Sequence, residues 1–178
     1  VIEVELEKTY LAKALPKGLK DSPSEVIRDA YVPVQYEHPI VRLRQRGERH
    51  EITKKEQTDP KDASRHDEHT IHLTKEEFAA LLTDHAKTHA KRRFDCTIDG
   101  AKAEVDVYLE ALQGLVVIDF EFDTPEAMAA FRPPAICLAD VTNEDVLAGG
   151  MIAGKTYEDL RPTLEKYGYK PLQVEEVL

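Results

Sequence analysis

The sequence predicts an α+β protein, mainly antiparallel β, in which a meandering sheet or a closed barrel is flanked by helices. Three observations carry that class. About eight segments alternate apolar and polar residues at period two. Short turn signals join most neighbouring segments, the clearest being Gly47-Glu48, Asp99-Gly100 and Gln113-Gly114. Most of the strands also pair an apolar face with a densely charged one, and the sign of the charge differs from strand to strand.

Residues 1–11, VIEVELEKTYL, read as the first strand. Glu3, Glu5, Glu7 and Thr9 share one face; Ile2, Val4, Leu6, Lys8 and Tyr10 share the other. Three carboxylates in a row repel one another, so water, a row of cations or a divalent metal must compensate them. After a Pro/Gly break, Ser22 or Ser24 is placed to cap a short helix over 25–28, and 30–36 reads as a strand. Residues 40–46 alternate cleanly, with Arg42, Arg44 and Arg46 on one face. Residues 50–56 return as the second arm of a hairpin, 57–63 read as a polar loop, and 68–73 read as a strand carrying Glu68, Thr70 and His72 on one face.

Thr74 to Glu77 has the capping-box pattern and predicts a helix through Thr83, with Phe78, Leu81 and Leu82 as its buried stripe. Residues 90–98 and 101–108 form the hairpin around Asp99-Gly100, with Lys91 and Arg93 on one arm and Glu104 and Asp106 on the other. Residues 115–122, LVVIDFEF, are the best strand, with Asp119 and Glu121 sharing a face. Thr124 caps a helix over 125–131 that starts with a proline, and further helices are predicted near 143–147 and 156–167.

Length and composition bound the function. A chain of 178 residues is one domain, 1–178, long enough for a real core. With 42% hydrophobic and 33% charged residues it is globular rather than disordered. A formal net charge of -10 argues against nucleic acid or an anionic membrane as partner, so an anion site must come from locally clustered Arg and Lys. Cys96 and Cys137 sit in no CxxC pattern and read as free, half-buried thiols of a reducing compartment. None of the 7 histidines has ligand spacing. No apolar run reaches the ~18–20 residues of a membrane span. With no signal peptide in view either, the expected location is the cytoplasm. Two arrangements of the charged faces remain open. Packed outward, they would scatter strips of charge over the surface. Packed inward, they would make a polar tunnel in which carboxylates collect a divalent cation and Arg and Lys line the rest, an interior suited to a polyphosphate.

The ordered set of charged positions resembles the CYTH superfamily, the triphosphate tunnel metalloenzymes. Glu5-Leu-Glu7-Lys-Thr9-Tyr10-Leu11 is similar to the family's opening E-x-E-x-K strand, Arg42-Leu-Arg44 to its R-x-R, and Ile52-Thr53-Lys54-Lys55 to its L-T-x-K. Lys91-Arg-Arg93 matches the K-x-R strand, Asp106 the acidic residue before the last barrel strand, Asp119-Phe-Glu121 the E-x-E of that strand, and Lys155-Thr-Tyr157-Glu-Asp159-Leu160 the closing K-S-Y-x-D-L. The resemblance spans Glu3 to Leu160. It implies an eight-stranded closed barrel, a tunnel with a charged interior, holding a metal-dependent site for a triphosphate.

By that resemblance, Glu5, Glu7, Asp106, Asp119 and Glu121 are expected to hold Mg²⁺ or Mn²⁺, for which hard carboxylate oxygens are suitable ligands. Arg42, Arg44, Lys55, Arg93 and Lys155 are expected to bind phosphate oxygens, with Lys54 and Lys91 as further substrate contacts. The catalytic set is then Glu5, Glu7, Arg42, Arg44, Lys55, Arg93 and Lys155, and Glu3 falls at the tunnel mouth. The chain departs from the pattern at Thr9, where the family has Lys. Lys8 points away by strand parity, which leaves Lys13 to swing over the mouth as a substitute. The strand at Glu68 and Thr70 is also thinner in acid than the family's. The implied function is metal-dependent hydrolysis of a small triphosphate, inorganic tripolyphosphate or thiamine triphosphate, by a monomer or homodimer with no nucleic-acid or membrane partner. The alternatives are a class IV-type adenylate cyclase and a non-catalytic polyphosphate or nucleotide binder. The absence of Trp and of an adenine-pocket signature favours hydrolysis.

Overall fold

The computed structural model describes residues 3–178, so Val1 and Ile2 of the expected first strand lie outside the described residues. The strands are β1 (Glu3–Ala12), β2 (Ser24–Val32), β3 (Val41–Arg46), β4 (Arg49–Asp59), β5 (Asp62–Leu73), β6 (Lys87–Ile98), β7 (Ala101–Tyr108), β8 (Val116–Glu121) and β9 (Cys137–Asp140). The helices are α1 (Lys75–Leu81), α2 (Pro125–Ala130), α3 (Gly149–Ile152) and α4 (Tyr157–Lys166). Among the described residues none is long and apolar enough to cross a membrane. The strands pair antiparallel in the order β5-β4-β3-β2-β6-β7-β8-β1, and β1 pairs back onto β5, which closes an eight-stranded barrel. β5 takes β1 over Glu3–Leu6, and β9 takes the same edge further along, over Tyr10–Ala12.

The charged faces point inward. The apolar faces look out and are covered, so the hydrophobic core lies around the barrel rather than inside it. One cluster joins Tyr10, Phe94, Val105, Ile118 and Phe120 to Phe131 after α2 and to Val174 in the C-terminal tail. A second packs Leu160 and Leu164 of α4 on Leu112, Leu115 and Ile152. A third sets Phe78 of α1 on Ala30 and Leu43. Burying these side chains stabilises each by about 1.5–3 kcal/mol, and they need no place in the barrel lumen. Both cysteines are free thiols partly buried against the first cluster.

Four expectations change. Leu81 and Leu82, expected with Phe78 in a buried stripe, are exposed, because α1 is only two turns long and sets just Phe78 on the barrel. The helix at 25–28 and the start of the strand at 30–36 are one strand, β2, which ends at Val32, because Glu25, Ile27, Asp29 and Tyr31 alternate inward between β3 and β6; 33–36 leave the sheet. The loop at 57–63 is largely strand: β4 and β5 stay paired out to Asp59↔Asp62, though most side chains there are exposed. Cys137–Asp140, four residues with no useful alternation, forms β9 through its pairing with β1. The capping boxes of α1 and α4 form as their sequences predict, and Asp99 and Gly100 turn the β6–β7 hairpin with positive φ at both residues.

One end of the barrel is crossed by a strap, residues 141–154. Val141 N donates to the Thr9 carbonyl (2.9 Å), and Thr9 N donates to Thr142 Oγ1 (3.1 Å). Ala63 N at the β4–β5 hairpin donates to Asn143 Oδ1 (2.8 Å). Gly154 N donates to the Thr88 carbonyl of β6 (2.8 Å). Between these anchors, Gly149 rests on the Tyr31 hydroxyl and Gly150 on the Pro39 carbonyl so closely that a Cβ at either would collide.

Candidate active site: the charged tunnel

A cavity of about 300 Å³ occupies the barrel, the lower end of the range for ligand clefts. Strand order sets its charge. β3 and β8 stand opposite one another in the eight-strand ring, so Arg42, Arg44 and Arg46 face Asp119 and Glu121 across the lumen. β1 adds Glu5, Glu7 and Thr9 beside β8, with Glu7 level with Glu121 and Thr9 level with Asp119.

The cations are held by buried carboxylates. Arg44 Nε and Nη2 fork onto both oxygens of Asp29 (2.6 and 2.7 Å). Burial opposes ionisation of Asp29, but Arg44 overrides it and holds this carboxyl far below its usual range. Asp106 accepts Arg93 Nε and Nη2 (2.7 Å each) and also pairs with Lys91. Burial and the Arg93 charge bring the Lys91 ammonium down to about 8, against the pull of Asp106. Arg93 also pairs with Glu104 and reaches Asp119 at 3.4 Å. Lys55 Nζ lies between Glu5 (2.7 Å) and Glu7 (2.5 Å). Arg42 is the least committed: its single ion pair, to Glu68, is 3.4 Å long, and its buried Nε has no partner.

The carboxylates of the opposite wall are under-compensated. Burial, Glu7 and Asp106 push Asp119 up to about 7. Burial, then Glu104, Glu5 and Glu7, raise Glu121. Thr9 Oγ1 donates to Asp119 Oδ1 (2.7 Å), so a neutral donor stands where a cation would have neutralised this carboxylate. His89 is a further member. Its ring is buried in the lining, both nitrogens lack a partner, and burial brings it down to about 4 despite Asp29 at 3.9 Å.

No family model matches the chain, and no curated protein matches it. Solved structures do. The inorganic triphosphatase NE1496 superposes with a TM-score of 0.62 at 23% identity, over 85% of this chain and 95% of that one. A candidate adenylate cyclase from Bacillus halodurans superposes at 0.53 with 14% identity, over 98% of this chain and 95% of that one. The chain shares its closed-barrel fold with these two proteins. Of the residues singled out from sequence, the tunnel brings together Glu5, Glu7, Arg42, Arg44, Lys55, Lys91, Arg93, Asp106, Asp119 and Glu121.

Four expectations need adjustment. Lys54 lies on the outer side of β4, paired with Glu56 at 2.9 Å and half exposed, because parity turns it away when Lys55 points in. Lys155 stands between the strap and the Thr156 cap of α4 and is not among the tunnel-lining residues. Asp106 is set apart from the other acids by Arg93 and Lys91, which engage both of its oxygens. Lys13 is exposed beyond β1 and, like Lys8, is not among the residues that line the tunnel. Sequence reasoning passed over Asp29, His66 and His89, and placed Glu104 on the charged face without giving it a role. His89 shares the parity of Lys91 and Arg93, which is the signal that places it.

Proposed function

We propose that this protein is a CYTH-type, metal-dependent triphosphatase that hydrolyses a small linear triphosphate, inorganic tripolyphosphate or thiamine triphosphate, inside the tunnel. The observation that carries the reading is the inward wall of Arg42, Arg44 and Arg46 opposite the inward acids of β1 and β8. Such a lumen neutralises a polyanion on one side and can take a cation on the other. The fold likeness to NE1496, an inorganic triphosphatase, is in keeping with it.

The acidic wall fits Mg²⁺ or Mn²⁺ by its chemistry: hard oxygen donors, of which Asp119 and Glu121 are raised first by burial and then by the neighbouring carboxylates. Glu5, Glu7, Asp119 and Glu121 are the residues to hold the ion. Among the described residues no three acidic or imidazole groups converge as a ready-made cage, and the Lys55 ammonium lies between Glu5 and Glu7. Lys55, paired with Glu5 and Glu7, would turn to phosphate where a cation took those two carboxylates. When bound, the ion neutralises phosphate oxygens and acidifies water. The chain's own residues do the rest. Arg42, with an unpartnered Nε, binds a phosphoryl oxygen directly. Arg44 and Arg93, locked by Asp29 and Asp106, present fixed positive charge that does not reorganise during reaction.

The test is a panel of tripolyphosphate, thiamine triphosphate and ATP, each with Mg²⁺, Mn²⁺ or chelator, assayed for phosphate, pyrophosphate and cyclic AMP. Metal-dependent phosphate release from a triphosphate is the expected result. Cyclic AMP with pyrophosphate would make the protein a cyclase. Binding without turnover under every metal would make it a polyphosphate binder.

A further inference from the structure

β1 changes partner part-way along. Its pairing with β5 ends at Leu6, and its pairing with β9 begins at Tyr10. Thr9 stands in the gap, and the root of the strap fills it. Thr9 N donates to Thr142 Oγ1 (3.1 Å), and the Thr9 carbonyl accepts from Val141 N (2.9 Å). Both backbone groups of Thr9 therefore point away from β8. The Thr9↔Asp119 pair of the β1–β8 ladder is then the kind that exchanges no backbone hydrogen bonds and brings its side chains closest. That closeness lets the Thr9 hydroxyl reach Asp119 Oδ1 at 2.7 Å.

The bonds continue outside the barrel. Thr142 Oγ1, which accepts from Thr9, donates its own proton to Asp140 Oδ1 (2.6 Å), and Thr142 N donates to the same oxygen (3.0 Å). With both carboxylates ionised, each hydroxyl gives its single proton to a carboxylate, so the direction of each bond is fixed. At the inner end, a neutral donor ties one oxygen of Asp119. The other, Oδ2, meets Arg93 Nη2 at 3.4 Å, and that guanidinium is already forked onto Asp106 and paired with Glu104. The cross-strand neighbours of Asp119 are Thr9 on one side and Glu104 on the other, so neither brings a cation. A hydroxyl turns a carboxylate without cancelling its charge, which an ammonium in the same place would do.

We propose that Thr9 and Thr142 are positioning residues for Asp119: Thr142 pins residue 9 from the strap, and the Thr9 hydroxyl sets the carboxylate so that Oδ2 is presented to a divalent cation. This rests on the metal-dependent reading and narrows it, because it makes the affinity for the ion depend on the strap. It also gives Thr9 a use of its own, as an orienting donor rather than a missing charge.

Calorimetric titration of the metal-free full chain with Mn²⁺ alone tests this. Thr9→Val, the same shape without the hydroxyl, weakens Mn²⁺ about 10–100-fold, and Thr9→Ser, which keeps the hydroxyl, stays near wild type. Thr142→Val weakens Mn²⁺ by less, and Thr142→Ser does not weaken it. Thr9→Val combined with Thr142→Val binds no worse than Thr9→Val alone, because Thr142 acts only through Thr9. Thermal melts check that each variant folds, and Thr9→Ala replaces the valine form if that form does not. A merely structural role would lower Tm and leave Mn²⁺ affinity where it was. Unchanged affinity in folded Thr9→Val, an equal loss in Thr9→Ser, or additive losses in the double variant overturns the positioning role and leaves the triphosphatase reading standing. If wild-type protein takes up no Mn²⁺, the positioning role falls with the metal site; the triphosphatase reading falls as well only if phosphate release is also absent.

Discussion

Replacing Asp29 by Asn separates the structural and substrate-binding roles of Arg44. The two side chains are 0% and 4% exposed and share two short hydrogen bonds. Asn keeps the shape and one acceptor but leaves the Arg44 guanidinium without a counter-charge. Breaking a buried pair in this way costs about 3–5 kcal/mol. In a chain of this size each kcal/mol moves Tm by about 2–4 °C, so Asp29→Asn should melt roughly 6–20 °C lower. The pH dependence has a definite sign. Asp29 is held below its unfolded value, so its contribution is complete above about pH 4 and is lost as pH falls towards the folded value. The gap between wild type and variant is therefore constant from pH 7 to pH 5 and narrows in more acid solution. Tripolyphosphate should also raise Tm more in the variant than in wild type, because a phosphate oxygen then supplies the charge that Asp29 gave. Urea denaturation across pH, with and without tripolyphosphate, measures all three. A loss below about 1 kcal/mol at pH 7 would show that Arg44 does not depend on Asp29.

Lys55→Ala should abolish turnover while Lys54→Ala leaves kcat/KM within about twofold, since only Lys55 faces the lumen; steady-state assays of the pair check the register of β4. Asp119→Asn should raise Tm at pH 8 in metal-free buffer and abolish turnover. Its carboxyl is held above the unfolded value, so its ionisation destabilises the fold progressively as pH rises from about 4 towards 7. The gain should disappear in melts at pH 4. Thr9→Lys should tighten tripolyphosphate binding, because it sets an ammonium beside Asp119 in the lumen; unchanged affinity in a titration would place the new side chain elsewhere.

The alternation of charge was legible because period two writes both barrel faces into each strand. Arg42, Arg44, Lys55, Lys91, Arg93, Asp119 and Glu121 could be assigned to one surface before the direction of that surface was known. What alternation cannot say is who pairs with whom. Asp106 reads as one more acid, yet its position between Lys91 and Arg93 follows from the β6–β7 register. Asp29 was hidden at the junction of an expected helix over 25–28 and an expected strand over 30–36, because Ser22 and Ser24 look like caps, whereas ladders on both sides make the segment one strand. β9 has too few residues to carry a pattern, and only the free half of the β1 edge explains it. Lys155 shows the limit of matching by sequence order: its motif continues into α4, but the anchoring of Gly154 to Thr88 leaves it beyond the tunnel lining.

The position of β1 in the ring bears on how the chain is made. All its partners come later: β5 from residue 62, β8 from residue 116 and β9 from residue 137. During synthesis the first strand emerges before any surface it can pair with. It waits while β2 to β7 are made, most of them joined by local hairpins, and the ring joins up only when β8 reaches it across some hundred residues of intervening chain, as Thr9 meets Asp119. Such long-range joining is slow, and an unpaired edge is exposed to other chains in the interval. The glutamates of β1 then have a second use. Before any ligand or metal is near, Glu5 and Glu7 keep that waiting strand charged and unattractive to its own kind, and the residues that fit the site for chemistry also guard the chain on its way to being folded.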